Sequence, residues 1–184
     1  MKVLVFGGSG FLGSYVVDQL VERGYEVTVY DIKNSIAPNR KVQYILGDIM
    51  DDRKVAREME NFDVVYNFSG LADLNESIEH PRKTIELNIL GNLNILEACV
   101  KCDISKIIYA STAYVFSRKG AFYGVSKKSS EMIIEEYSRQ NDLDYVIIRY
   151  GSVYGDRADS SNRIFRLLHE ALTNGKIVFP GDGS

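Results

Sequence analysis

The sequence predicts an α/β protein, a parallel, doubly wound sheet between two layers of helices. Three observations carry this. An apolar run, Val3-Leu4-Val5-Phe6, leads straight into glycines spaced Gly7-x-x-Gly10-x-x-Gly13. Leu12, Val16, Val17, Leu20 and Val21 follow at helical spacing. Strand-like and helix-like segments then alternate to about residue 150, the pattern of parallel strands joined by right-handed helical crossovers. A continuous apolar run, rather than an alternating one, suits a strand buried on both faces.

The first unit is the most specific. A strand must turn sharply into a helix, and the helix N-terminus offers N–H groups and a positive dipole end to a phosphate. A side chain at Gly7 or Gly10 would obstruct the turn or the phosphate, and Gly13 lets the helix sit close to the sheet. A glycine triplet alone also fits an ordinary strand-to-helix turn. Here residues 25–31 (Tyr-Glu-Val-Thr-Val-Tyr-Asp) supply a second strand, and Asp31 falls eighteen residues after Gly13. That is where a ribose-binding carboxylate belongs in a Rossmann-like dinucleotide-binding βαβ unit.

Further along, residues 42–46 read as a strand, and Gly47-Asp48-Ile49 as the turn leaving it. Asp51 or Asp52 can cap a short helix reaching Met59. Residues 62–68 form the next strand, ended by Ser69-Gly70. Residues 107–110 and 145–148 are two more, separated by a helix over 123–140. On a helix over 81–102, Ile85, Ile89, Leu93, Leu96 and Val100 make one apolar stripe. Leu87, Gly91, Ile95 and Ala98 make another on nearly the opposite side. One stripe can cover the sheet; the other needs a neighbouring helix of the same chain or a second subunit.

Composition narrows the function. The chain has 184 residues, room for one domain with a substantial core, spanning 1–184. A net charge of −3 gives no general attraction to nucleic acid or to an anionic membrane. No apolar run reaches membrane-spanning length, and the glycine-broken N-terminus is no signal peptide, so a cytoplasmic protein is expected. Cys99 and Cys102 lie at a helix C-terminus, which disfavours a thiolate, and they read as reduced and structural. No metal site is expected.

Tyr123-Gly-Val-Ser-Lys127 carries the chemistry. Its phenol and ammonium stand at i and i+4, on one helical face. A nearby cation favours the phenolate, which suits Tyr123 to proton transfer. The pair opens the helix that follows a strand ending in Ser111-Thr112, and strand carboxyl ends are where a doubly wound sheet holds ligands. Hydroxyls from Thr112 and Tyr123 can meet there at one substrate oxygen.

In order along the chain stand Gly7-x-x-Gly10-x-x-Gly13, Asp31, Asp48-Ile49, Asn67-Phe-Ser-Gly70, Asn88-x-x-Gly91 and Ser111-Thr-Ala113. Tyr123-x-x-x-Lys127 and Arg149-Tyr-Gly-Ser-Val-Tyr-Gly155 complete the series. With these elements the chain resembles the extended short-chain dehydrogenase/reductase family, in its NAD-dependent nucleotide-sugar epimerase/dehydratase group. The resemblance implies a catalytic triad of Thr112, Tyr123 and Lys127, with NAD as cofactor and a nucleotide sugar as substrate. It implies that Gly7, Gly10, Phe11 and Leu12 meet the phosphates, Asp31 with Ile32 the adenosine ribose, and Asp48 with Ile49 the adenine. Phe68, Ser69, Gly70 and Tyr150 would flank the nicotinamide side, where Tyr123 and Lys127 also reach the cofactor. A carboxylate at Asp31 would repel a 2′-phosphate, favouring NAD over NADP.

The expected activity is that of an epimerase like UDP-glucose 4-epimerase. A reductase, dehydratase or decarboxylase of the same family, or a non-catalytic NAD-binding sensor, are the alternatives. A 4,6-dehydratase would carry Asp-Glu after the catalytic threonine, where this chain has Ala113-Tyr114. Only ten residues separate Thr112 from Tyr123, a shortened loop. Ser152 stands where such epimerases usually have an asparagine. Residues from about 150 on, including the stretch 178–184, resemble the lead into a substrate domain that is largely absent here. The resemblance also implies a homodimer built from the 81–102 and 123–140 helices, with the Leu87–Gly91–Ile95–Ala98 stripe and Met132, Ile133, Ile134 and Tyr137 at its centre.

Overall fold

Six parallel strands form one sheet in the order β3-β2-β1-β4-β5-β6. They are β1 (Lys2–Phe6), β2 (Glu26–Asp31), β3 (Gln43–Leu46), β4 (Val64–Asn67), β5 (Lys106–Thr112) and β6 (Asp144–Tyr150). This is the expected doubly wound α/β architecture, seen in a computed structural model that describes residues 1–160 and 162–177. The strand order reverses between β1 and β4, which leaves a crevice at their carboxyl ends. Residues 178–184, read from sequence as a lead into a substrate domain, lie outside the described residues.

β1 shows why its apolar run is unbroken: Val3, Leu4, Val5 and Phe6 are all fully buried. Val3 and Val5 pack with Val27 and Val29 against Val17 and Leu20 of helix α1 (Phe11–Glu22). Leu4 and Phe6 belong to the opposite core, with Tyr30, Val65, Ile107 and Tyr109. That core is closed by α2 (Asp52–Glu58), α5 (Gly91–Lys101) and α6 (Ala121–Gln140). Cys99 and Cys102 are both unbridged, with Cys99 in this core. Among the described residues no helix is long and apolar enough to cross a membrane.

The helix expected over 81–102 differs in two ways. It consists of α4 (Pro81–Ile85) and α5, joined by a π-helical turn at Glu86–Leu90. Its inward face also differs from the one the apolar stripes predict. Gly91, Ile95 and Ala98 are buried within the monomer, Ile95 at 0 % exposure. Gly91 is needed there, since a Cβ would come within 2.5 Å of Ile49 Cδ1. The physical reason is that α5 packs against both α2 and α6 as well as the sheet, so far more than one stripe of it is covered. Residues assigned to the inward stripe, Ile85, Ile89, Leu93 and Val100, are only half buried, and Leu96 alone among them is in the core. On α6, Ile134 is likewise fully buried, while Met132 is 63 % exposed.

Two further helices escape the periodicity. α3 (Leu74–Glu79) is capped by Asp73, whose carboxylate accepts from the Glu76 N–H at 2.8 Å. α7 (Arg163–Asn174) begins at Asn162, whose Oδ1 accepts from the N–H groups of Ile164 and Phe165, and ends at Gly175 with φ +66°. The chain divides into two units, Met1–Gly151 with the sheet and Ser152–Ser184 with α7. Within the second unit Phe165, Leu168 and Leu172 of α7 line an apolar cleft with Tyr154.

Candidate active site

The turn from β1 to α1 is shaped by backbone. Gly7 has φ +73°, and a Cβ there would lie 2.6 Å from the backbone of Phe68 and Ser69 at the end of β4. At Gly13 a Cβ would strike the Gly7 carbonyl. Gly10 is different: a Cβ there meets nothing nearer than the Gly7 oxygen at 3.5 Å. Packing within the chain therefore does not require glycine at position 10. Gly10 stands at the N-cap of α1, and no side chain caps that helix, so the N–H groups at Phe11 and Leu12 point out of its open end. Ser9 Oγ beside them is buried without a hydrogen-bond partner among the described residues.

Asp31 closes β2, and its Oδ2 accepts from the Ser9 N–H at 3.0 Å, tying the acid to the glycine loop. Ile32 is exposed. Asp48 Oδ1 accepts from the Met50 N–H at 2.9 Å, and the Asp48 carbonyl accepts the Tyr30 hydroxyl at 3.0 Å. The Ile49 side chain is buried in the core, so only its backbone is available to a base. Phe68 stacks on Tyr66 and packs at 6.3 Å against Tyr150, the last residue of β6. Ser69 Oγ and N–H both donate to Asn67 Oδ1, at 2.6 and 3.0 Å. Gly70 has φ +118° and leaves room for Asn88.

At the carboxyl end of β5, Thr112 is buried, and its Oγ1 accepts from the Tyr114 N–H at 3.3 Å. Across the strands Thr112 pairs in register with Tyr150. Tyr123 lies in the first turn of α6, half buried, with its ring 6.5 Å from that of Tyr114. Thr112 and Tyr123 share no hydrogen bond. One turn later Lys127 is only 5 % exposed. Its Nζ donates to the Ala110 carbonyl at 3.0 Å and stands 4.6 Å from the centre of the Tyr109 ring. Burial lowers the pKa of Lys127, while the neighbouring Tyr123 and Glu131 pull it back up.

Two clusters behind these residues have no counterpart in the sequence reading. Asn88 Oδ1 accepts from the Leu71 N–H at 2.7 Å, and its Nδ2 donates to the Leu71 carbonyl and to Ser126 Oγ, each at 2.9 Å. Ser126 Oγ donates in turn to the Tyr123 carbonyl, and Ser130 Oγ to that of Asn88. Spacing alone gives Asn88 of the Asn88-x-x-Gly91 motif no role. The second cluster centres on Glu131, which no motif marks. Its carboxylate accepts from Ser111 Oγ at 2.5 Å and from Arg149 Nε and Nη2 at 2.9 and 2.8 Å. Burial pushes the Glu131 carboxyl up, but the bonds from Arg149 and Ser111 outweigh it and hold it below the usual range. The available signal was its place four residues after Lys127 on the same face of α6.

The model of the NAD-dependent epimerase/dehydratase family matches residues 3–184. The chain belongs to this family. A protein of Methanocaldococcus jannaschii, itself assigned rather than demonstrated as a UDP-glucose 4-epimerase, is 32 % identical over 99 % of this chain and 67 % of its own length. The UDP-glucose 4-epimerase of Lactobacillus helveticus is 28 % identical, over 99 % of this chain and 64 % of its own. The structure of the Thermotoga maritima UDP-glucose 4-epimerase with UDP-glucose has 30 % identity and a TM-score of 0.89, covering 100 % of this chain and 67 % of that one. The Thermus thermophilus enzyme with NAD has 30 % identity and a TM-score of 0.87, covering 95 % and 63 %. This member of the epimerase/dehydratase family thus spans about two thirds of the length of these relatives.

Proposed function

We propose that the chain carries the NAD site and the acid–base residues of a nucleotide-sugar epimerase of the UDP-glucose 4-epimerase type. The observation that supports this most directly is Lys127, a buried cation tethered to Ala110 one helical turn from Tyr123. A fixed positive charge beside a phenol suits proton transfer at a sugar hydroxyl.

The residues present fit NAD. Gly10 leaves open space above an uncapped helix end, where a pyrophosphate would lie against Gly7, Gly10, Phe11 and Leu12. Asp31, with Ile32, would take the adenosine ribose; Asp48 and the backbone of Ile49, the adenine. Phe68, Ser69, Gly70, Tyr150, Tyr123 and Lys127 would surround the nicotinamide end. Bound NAD supplies a hydride acceptor that becomes the donor within the same turnover. Tyr123 would remove the proton from the sugar hydroxyl, Thr112 would hold the same oxygen, and Lys127 would set a positive charge one helical turn away. With the O–H proton on Tyr123 and the C–H hydride taken up by NAD, the sugar would be left as a ketone that could turn within the site, receive the hydride back on its other face and regain the proton from Tyr123.

A homodimer is part of the reading. The half-buried Ile85, Ile89 and Leu93 along the 81–102 helix and the exposed Met132 of α6 support it, rather than the Ile95 stripe. A two-fold pairing would cover both copies of these faces at once.

The test is turnover by the protein at its natural length. With UDP-glucose and NAD it should form the 4-epimer, followed by NMR of the anomeric proton. Tyr123→Phe should bind NAD as before and lose roughly 10²-fold in turnover, the scale of one acid–base group. Full turnover by that variant would move the proton transfer to another residue. Absence of turnover by the unaltered protein, with NAD still bound, would favour the sensor reading.

A further inference from the structure

A buried carboxylate is an expensive way to hold strands together, because an apolar residue of similar size usually does as well. Glu131 is nevertheless 5 % exposed, and its partners are informative. Ser111 immediately precedes Thr112, and Arg149 immediately precedes Tyr150. The two partners face one another in the β5–β6 register, as Thr112 and Tyr150 do. Glu131 itself follows Lys127 by one turn of α6. A single side chain therefore bonds to the neighbours of two site residues and shares a helical face with two more. Arg149, in turn, has its guanidinium 4.8 Å from the centre of the Phe116 ring.

We propose that Glu131 is a positioning residue. It locks the ends of β5 and β6 to the Tyr123–Lys127 helix, with its carboxylate one turn beyond Lys127 on the same helical face. The effect on turnover rests on the epimerase reading above; the effect on Lys127 does not. The groups around Lys127 are Tyr109 and the Ala110 carbonyl from β5, Tyr123 and Glu131 from α6, and beyond Glu131 the cations Lys128 and Arg149. Among these, Glu131 is the permanent anion. Removing its charge leaves Lys127 opposed by burial and helped only by Tyr123.

Glu131→Gln keeps the size and most bonds but removes the charge, and Arg149→Met keeps the charge but removes its cation. In this chain, with lysines labelled with ¹³C at Cε, the Lys127 resonance is assigned by its loss in Lys127→Met and titrated by NMR. Glu131→Gln should move the Lys127 midpoint down by about one pH unit, and Arg149→Met should move it up. Opposite signs are what a charge role requires and a merely structural one does not give. In the natural-length protein Glu131→Gln should cut kcat roughly tenfold with the KM for the sugar within about twofold, and Glu131→Asp should recover part of the loss. Midpoints that do not move, or that move the same way in both variants, overturn the proposal. If Glu131→Gln fails to fold, Arg149→Met decides alone, an upward shift supporting the proposal and none overturning it. Opposite shifts in a protein without turnover would uphold Glu131 and dismiss the epimerase reading.

Discussion

At the β1–α1 turn the site is made of backbone: positive φ at Gly7, an absent Cβ at Gly10, and helix N–H groups left without a cap. At the carboxyl end of β5 it is made of side chains, with Lys127 on Ala110, Glu131 on Ser111 and Arg149, and Asn88 on Leu71 and Ser126. The first region depends on conformations that twelve consecutive residues can specify. The second depends on partners seventeen to thirty-eight positions apart, brought together only by the finished sheet. Substitutions should therefore fail differently in the two regions: by steric conflict in one, by loss of charge or bonding in the other.

The largest effect is expected outside both regions, where the monomer core was mistaken for an interface. Ile95→Asp should unfold the chain or cost about 4 kcal/mol, because a carboxylate would be buried without a partner. Met132→Asp on the exposed face of α6 should leave the melting temperature nearly unchanged and shift sedimentation towards monomer. If Ile95→Asp is folded and monomeric, the assignment of faces on α5 is wrong.

Next come two glycines three residues apart. Gly7→Ala should cost about 3 kcal/mol, since both its φ and its contact with Phe68 and Ser69 are incompatible with a Cβ. Gly10→Ala should cost within about 1 kcal/mol yet weaken NAD binding roughly tenfold, because the methyl group projects where a phosphate would lie. Thermal melts and calorimetric titration separate these outcomes. Equal loss of stability at both positions would mean that Gly10, too, serves only the fold.

The smallest effect is on Tyr30, which joins the core to the turn at Asp48. Burial, with the charges of Asp51 and Asp48, pushes its phenol up to about 12. The neutral form is thus the one the fold favours. Its contribution is complete below pH ~10, the ordinary value, and fades as pH rises to about 12. Tyr30→Phe should cost about 1 kcal/mol at neutral pH through loss of the bond to the Asp48 carbonyl. It should also lose less stability than the wild type between pH 10 and 12. Parallel alkaline curves for the two proteins would contradict this.

The same contrast explains what was legible in the sequence. The glycine spacing, Asp31 and the Tyr123–Lys127 pair are local patterns, and the βα alternation reports burial directly. Glu131 and Ser126 read as ordinary polar positions on a surface helix, because nothing nearby in the chain shows that β5 and β6 will end opposite them. α3 is too short for periodicity to register, although Asp73 and Glu76 are spaced as a helix start. The inward face of α5 was hidden for a different reason: two apolar stripes give no sign of which meets the sheet when flanking helices cover the rest.

The π-helical turn at Glu86–Leu90 puts one more constraint on the chain, this time on its length. Thr84 before it and Asn88 within it are buried; on its C-terminal side Ile95, Leu96 and Cys99 are. Such a turn holds one residue more than an α-helical one. Deleting any residue between 86 and 90 would rotate one half of the helix against the other by about 100°. Asn88 would lose Leu71 and Ser126, or Ile95 would leave the core. The segment can drift in composition across its solvent side, but homologous genes should show almost no gaps within it.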